Sequence, residues 1–102
     1  MKMLTMIVPA DTKQILADTL RGLAQVPGFT FTHVEGHGTR AGHDAMLSAR
    51  DQVVGYVPHV RVDIILEEAD LAGVLEALRN SQCGLAGRGH YWVTGLENQG
   101  RL

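Results

Sequence analysis

The period of the hydrophobic pattern switches repeatedly between that of a strand and that of a helix, and each switch marks an element. Lys2–Val8 is rich in β-type residues and is closed by Pro9, so a first strand is predicted there. Asp11 then stands as a helix N-cap, with Gln14 three residues on completing a capping-box pattern. Ile15, Leu16, Leu20 and Leu23 share one helical face, and Pro27-Gly28 is the expected stop. Phe29–Glu35 alternates as a second strand. A third runs over His59–Leu66, with Val60, Val62, Ile64 and Leu66 alternating with Arg61, Asp63 and Ile65. Glu67, Glu68 and Asp70 load the start of a second helix with the negative charge its dipole favours. Leu71, Val74, Leu75 and Leu78 follow the i, i+3, i+4, i+7 spacing of a buried helical stripe. A glycine-rich turn, Gly84 to Gly89, precedes a last strand over His90–Leu96 and a short tail, 97–102.

The order β-α-β-β-α-β predicts an α+β, ferredoxin-like sandwich: a four-stranded antiparallel sheet with both helices on one face. The other face carries Met3, Thr5, Ile7, Phe31 and Ile65 in this reading. A small domain with apolar residues on both sheet faces is expected to oligomerise through the open one. The connection between the two central strands, from Gly36 or His37 to Pro58, is roughly 20 residues long, where a hairpin needs 2–5. Met46, Leu47, Val53, Val54 and Tyr56 make it too apolar for a plain linker, which points to a conformationally responsive loop.

Composition narrows the function. The 102 residues make one domain, with 45% hydrophobic and 20% charged positions. A net charge of −2 without a basic stripe argues against nucleic acid as a partner. No stretch approaches the ~20 apolar residues of a membrane span, so no direct membrane insertion is expected and a cytoplasmic location is. The lone Cys83 cannot form an internal disulfide, and a helix C-terminus does not lower a thiol pKa. No nucleophile–base–orienter set and no paired carboxylates are visible, so the chain is not expected to be an enzyme.

Three stretches together resemble the P-II signal-transduction family: TFTHVEGHGTRAGH (Thr30–His43), VGYVPHVRVDIIL (Val54–Leu66) and GLAGRGHYWV (Gly84–Val93). They are similar to that family's loop entrance, loop exit and B-loop, in the correct order along nearly the whole chain. The resemblance implies one P-II-like domain over 1–102, with a T-loop at 37–58 and a B-loop at 83–89. It implies a homotrimer with the sheets facing inward and adenine nucleotides in the clefts between subunits. A T-loop that changes shape with the ligand would then dock on a target transporter or enzyme. Carried over residue by residue, the nucleotide site would comprise Ile7, Gly36, His37, Gly38, Thr39, Arg40, Ile65, Gly87, Arg88, Gly89 and His90. The chemistry suits that role. Gly36 and Gly38 let backbone approach a ligand, Gly87 and Gly89 can turn consecutive N–H groups toward phosphates, and Arg40 and Arg88 can bind phosphate oxygens. The plainer alternative is that these glycines serve only tight turns.

The departures from the family are equally informative. The loop-entrance Gln that helps hold 2-oxoglutarate in typical members is Arg40, and the Lys that grips that ligand is His59. The B-loop lysines are Leu85 and His90, the B-loop Asp is Arg88, and the modifiable loop tyrosine is Gln52. The basic C-terminal segment is missing, leaving only Arg101 nearby. These losses favour ADP or AMP over ATP, with Arg40 and His59 suited to a small anion such as bicarbonate, as in carbon-uptake-associated P-II-like proteins. The alternative is a metal-binding accessory of a heavy-metal efflux system using His37, His43, His59 and His90, although no pair has the spacing of a structural zinc motif.

Overall fold

The computed structural model describes residues 1–37, 57–80, 85 and 87–102. Strand β1 (Lys2–Pro9) is followed by a 3₁₀ turn (Ala10–Thr12) and helix α1 (Lys13–Arg21). Strands β2 (Thr30–Gly36) and β3 (Val57–Leu66) flank the long connection. A second 3₁₀ turn (Glu68–Asp70) leads into helix α2 (Leu71–Asn80), and β4 (His90–Gly95) closes the sheet. The sheet order is β2-β3-β1-β4 and every described pairing is antiparallel. This is the arrangement predicted from the element order.

Strict alternation explains the core. Leu4, Met6 and Val8 of β1 stand opposite Ile64, Val62 and Val60 of β3, all fully or almost fully buried. Leu16 and Leu20 of α1 and Val74 and Leu78 of α2 join them in one cluster, which places both helices on the same face. Burying a side chain of this size contributes about 1.5–3 kcal/mol, so this single layer supplies most of the driving force.

Several expectations shift at element ends. The capping box does not form: Ala10–Thr12 is a 3₁₀ turn, α1 starts at Lys13, and its N-cap Thr12 makes no side-chain cap bond. Thr12 is buried and its hydroxyl donates instead to the Pro9 carbonyl at 2.7 Å. Gln14 donates to Asp18, while Asp11 faces Arg88. Helix α1 ends at Arg21, well before Pro27-Gly28, because Gly22 is a weak helix former and the chain continues in single turns from Leu23 to Leu20 and from Val26 to Leu23. Ile15, placed on the buried face from sequence, is 50% exposed. Phe31 is also reassigned. It registers with Val62, packs against the helix-side core, and so does not belong to the open face.

Strands β2 and β3 run further into the long connection than expected. Gly36 pairs with Val57 and Glu35 with Pro58, which leaves residues 37–56 as the connection. Pro58 is tolerated because it lies beyond the end of β1, whose last pair is Pro9 with His59. Strand β4 stops at Gly95, and the Leu96 N–H donates to the Met1 carbonyl at 3.2 Å.

Candidate functional site

Antiparallel pairing brings the C-terminal ends of β1 and β2 and the N-terminal ends of β3 and β4 to one end of the sheet. The turn after β1, the ends of the long connection and the turn before β4 therefore converge there. Among the described candidates, Ile7, Gly36, His37, His59, Gly87, Arg88, Gly89 and His90 all map to this end. Ile65 does not. It pairs with Met3, four residues along β1 from Ile7, which is about 13 Å at strand spacing. Gly38, Thr39, Arg40 and His43 lie outside the described residues, as do Cys83 and Gly84.

The turn before β4 is built for close approach. Gly87 has a φ of 69°, a left-handed conformation that side chains with a Cβ disfavour. The Arg88 N–H donates to the Leu85 carbonyl at 2.8 Å, tightening the turn. A Cβ on Gly89 would come within 3.2 Å of Val8 and 3.4 Å of the Ile7 carbonyl, so this backbone lies directly against β1. The Arg88 guanidinium meets both Asp11 carboxylate oxygens at 3.1 and 3.2 Å, tying the turn to the 3₁₀ segment after β1. A phosphate recruiting Arg88 would have to compete with that carboxylate.

Gly36 makes a close approach within the chain itself. A Cβ there would overlap the His59 imidazole, so the ring is stacked on Gly36 backbone. His59 Nδ1 lies 2.9 Å from the Val57 carbonyl, an atom that only accepts, so Nδ1 carries the proton and Nε2 keeps its lone pair in the neutral ring. A shallow groove of about 250 Å³ runs past His33, Val34, Glu35, Pro58 and His59. Glu35 places a carboxylate in this groove, so His59 alone does not make it an anion site. His37 Nε2 lies 3.2 Å from Glu35 Oε2, and His33 Nε2 accepts from Lys13 at 3.2 Å. Among the described residues no group of three or more His, Cys, Asp or Glu side chains is placed to share a metal ion, and His43 lies outside them.

The open face of the sheet holds a cluster that sequence reasoning missed. Trp92, Thr5, Asp63 and Thr30 form one cross-strand row, and Thr5 is fully buried although both described helices pack on the other face. Its hydroxyl donates to Asp63 Oδ1 at 2.8 Å, Arg61 Nε donates to the same carboxylate at 3.1 and 3.3 Å, and the Arg61 guanidinium lies 5.8 Å from the Trp92 ring centre. Alternation placed Thr5 and Asp63 on this face. Only the cross-strand register shows that they meet.

Residues 1–102 match the family model described as "Protein of unknown function (DUF3240)". The chain is 32% identical over 98 residues to a nitrogen regulatory protein P-II of Rhizobium leguminosarum bv. viciae, covering 93% of this chain and 88% of that protein. A second nitrogen regulatory protein P-II, from Rhizobium meliloti (strain 1021), is 33% identical over 76 residues, covering 74% and 68%. The chain belongs to the DUF3240 family, a divergent P-II-like group. The crystal structure of a DUF3240 family protein from Shewanella baltica OS155 has the same fold, with a TM-score of 0.76 and 23% identity over 99% of this chain and 94% of that one. The P-II-like kinship carries the resemblance seen in the three stretches, and its named relatives are regulatory proteins. Among the described residues of this DUF3240 protein, no helix is long and apolar enough to cross a membrane.

Proposed function

We propose that this DUF3240 protein is a P-II-like regulator that binds an adenine nucleotide, ADP or AMP in preference to ATP, at clefts between the subunits of a homotrimer. The single observation that carries the reading is the convergence of the left-handed Gly87 turn, the β1 end at Ile7 and the Gly36–His37 strand end at one end of the sheet. A turn of this kind presents backbone N–H groups, and glycines let phosphate oxygens reach them. The missing lysines at Leu85 and His90 leave fewer cations for a triphosphate, which favours nucleotides with fewer phosphates. The separation of Ile65 from Ile7 suits a site completed by a second subunit, with one copy supplying each residue. The T-loop would then change shape with the nucleotide and control a membrane transporter or an enzyme from the cytoplasm. A small anion such as bicarbonate would join the nucleotide through Arg40, with His59 Nε2 near the loop base.

Calorimetric titration with ATP, ADP, AMP and cyclic AMP, each with and without bicarbonate, tests this. The expected outcome is saturable binding of ADP or AMP tighter than that of ATP. No binding of any of them below millimolar concentration overturns it. Light scattering on the same samples reads the trimer directly.

A further inference from the structure

On the helix side of the sheet, a cavity of about 300 Å³ enters the core between α2 and the start of β4. Met6 and Val8 from β1, Leu75 and Leu78 from α2, and Leu85 give it apolar walls, while His90 borders it at the start of β4. At its rim stand Arg79 and Tyr91, with the Arg79 guanidinium 5.6 Å from the Tyr91 ring centre and Nη2 donating to the Tyr91 hydroxyl at 3.2 Å. No acidic side chain is among its described lining, and Arg79 has no carboxylate partner among the described residues.

We propose that this cavity is a binding site for a small amphipathic monocarboxylate, whose carboxylate is held by Arg79 and whose hydrocarbon fills the pocket. An apolar cavity of about 150 Å³ holds a benzene-sized ligand, so this one takes a medium-length acyl chain or a ring with a short chain. It lies at the small end of ligand pockets, which begin at about 300 Å³. The walls of Met6, Val8, Leu75, Leu78 and Leu85 suit hydrocarbon rather than ribose hydroxyls or phosphates, which would lose water there without gaining hydrogen bonds. The guanidinium has five donors and one is used by Tyr91, so the planar fork can receive a carboxylate while stacked on the ring. The hydrocarbon would cover side chains that now border open space, including Leu75 and Leu85, which are only partly buried. Gly87 and Gly89 border the same cavity, so its occupancy bears on the turn that precedes β4.

The cavity borders the proposed nucleotide site at Gly87, Gly89 and His90, but Arg79 and the apolar walls lie outside that site, so its test uses a different ligand and a variant the nucleotide reading does not involve. Octanoate is titrated into the full-length ¹⁵N-labelled protein while amide shifts and thermal stability are followed. Saturable shifts are expected at Leu75, Leu78, Arg79 and Tyr91, with a rise in Tm from mass action. Octanol should bind more weakly than octanoate, and Arg79→Gln should weaken octanoate about tenfold, the usual consequence of losing a charged hydrogen-bond donor. Leu75→Trp should fill the pocket and abolish the shifts. Arg79→Gln alters an exposed side chain, so it stays informative even if the tryptophan variant fails to fold. Absence of saturable shifts at millimolar octanoate, shifts centred outside the cavity, or an affinity unchanged by Arg79→Gln would each overturn the assignment.

Discussion

Replacing Gly36 with alanine tests how the end of β2 is packed. The new methyl would occupy space now filled by the His59 ring, and since His59 is a side chain the ring can swing away. Moving it breaks the bond from Nδ1 to the Val57 carbonyl, a loss of about 1 kcal/mol. A ring that stays but is pushed off its rotamer costs about 0.5–1.5 kcal/mol instead or in addition. Gly36 does not have a positive φ, so no backbone strain is added. Alanine also reduces the entropy of the unfolded chain, which returns about 0.4–1 kcal/mol. The net expectation is a destabilisation of about 1 kcal/mol. Urea unfolding at fixed protein concentration measures it, with His59→Ala and the double variant completing a cycle. In the His59→Ala background the obstruction is gone, so Gly36→Ala should be neutral or stabilising by up to about 1 kcal/mol. An equal loss in both backgrounds would refute the stacking of His59 on Gly36 as the reason for glycine there.

Thr5→Val keeps the shape of a buried side chain but removes its donor to Asp63; a loss of about 1.5 kcal/mol is expected by urea unfolding, because Arg61 still serves the carboxylate. Gly87→Ala meets no atom within 4 Å, so its cost comes from the left-handed backbone alone, about 1–2 kcal/mol, and Gly87→Asn should cost less because asparagine tolerates that region. Asp11→Asn should change stability by no more than about 1 kcal/mol, since the ion pair with Arg88 is largely exposed. If Arg88 contacts a phosphate, the same variant should tighten ADP binding by roughly 1.4- to 5-fold in calorimetry.

The sequence by itself determined the element order, the helix-side core and the kinship. Alternation in β1 and β3 and the i, i+3, i+4, i+7 stripe of Leu71, Val74, Leu75 and Leu78 are local patterns, and a half-buried element cannot form without them. The candidate glycines were legible too, because a left-handed turn such as that at Gly87 leaves few other choices. What each group touches was decided only by tertiary structure. Asp11 and Arg88 are far apart in sequence, yet the fold brings them into contact, and that contact replaces the cap expected of Asp11. Phe31 changes faces because strand register sets its neighbours, and a one-residue shift in the start of β2 leaves local composition unchanged. Gly36 was legible as a place of close approach, but the group that approaches it, His59, comes from the strand across the sheet. The cavity at Arg79 arises because α2, β4 and Leu85 meet without filling the space between them, and no single segment encodes a gap. Local pattern fixes which face is buried; the distances between faces follow only once the strands are paired and the helices laid across them.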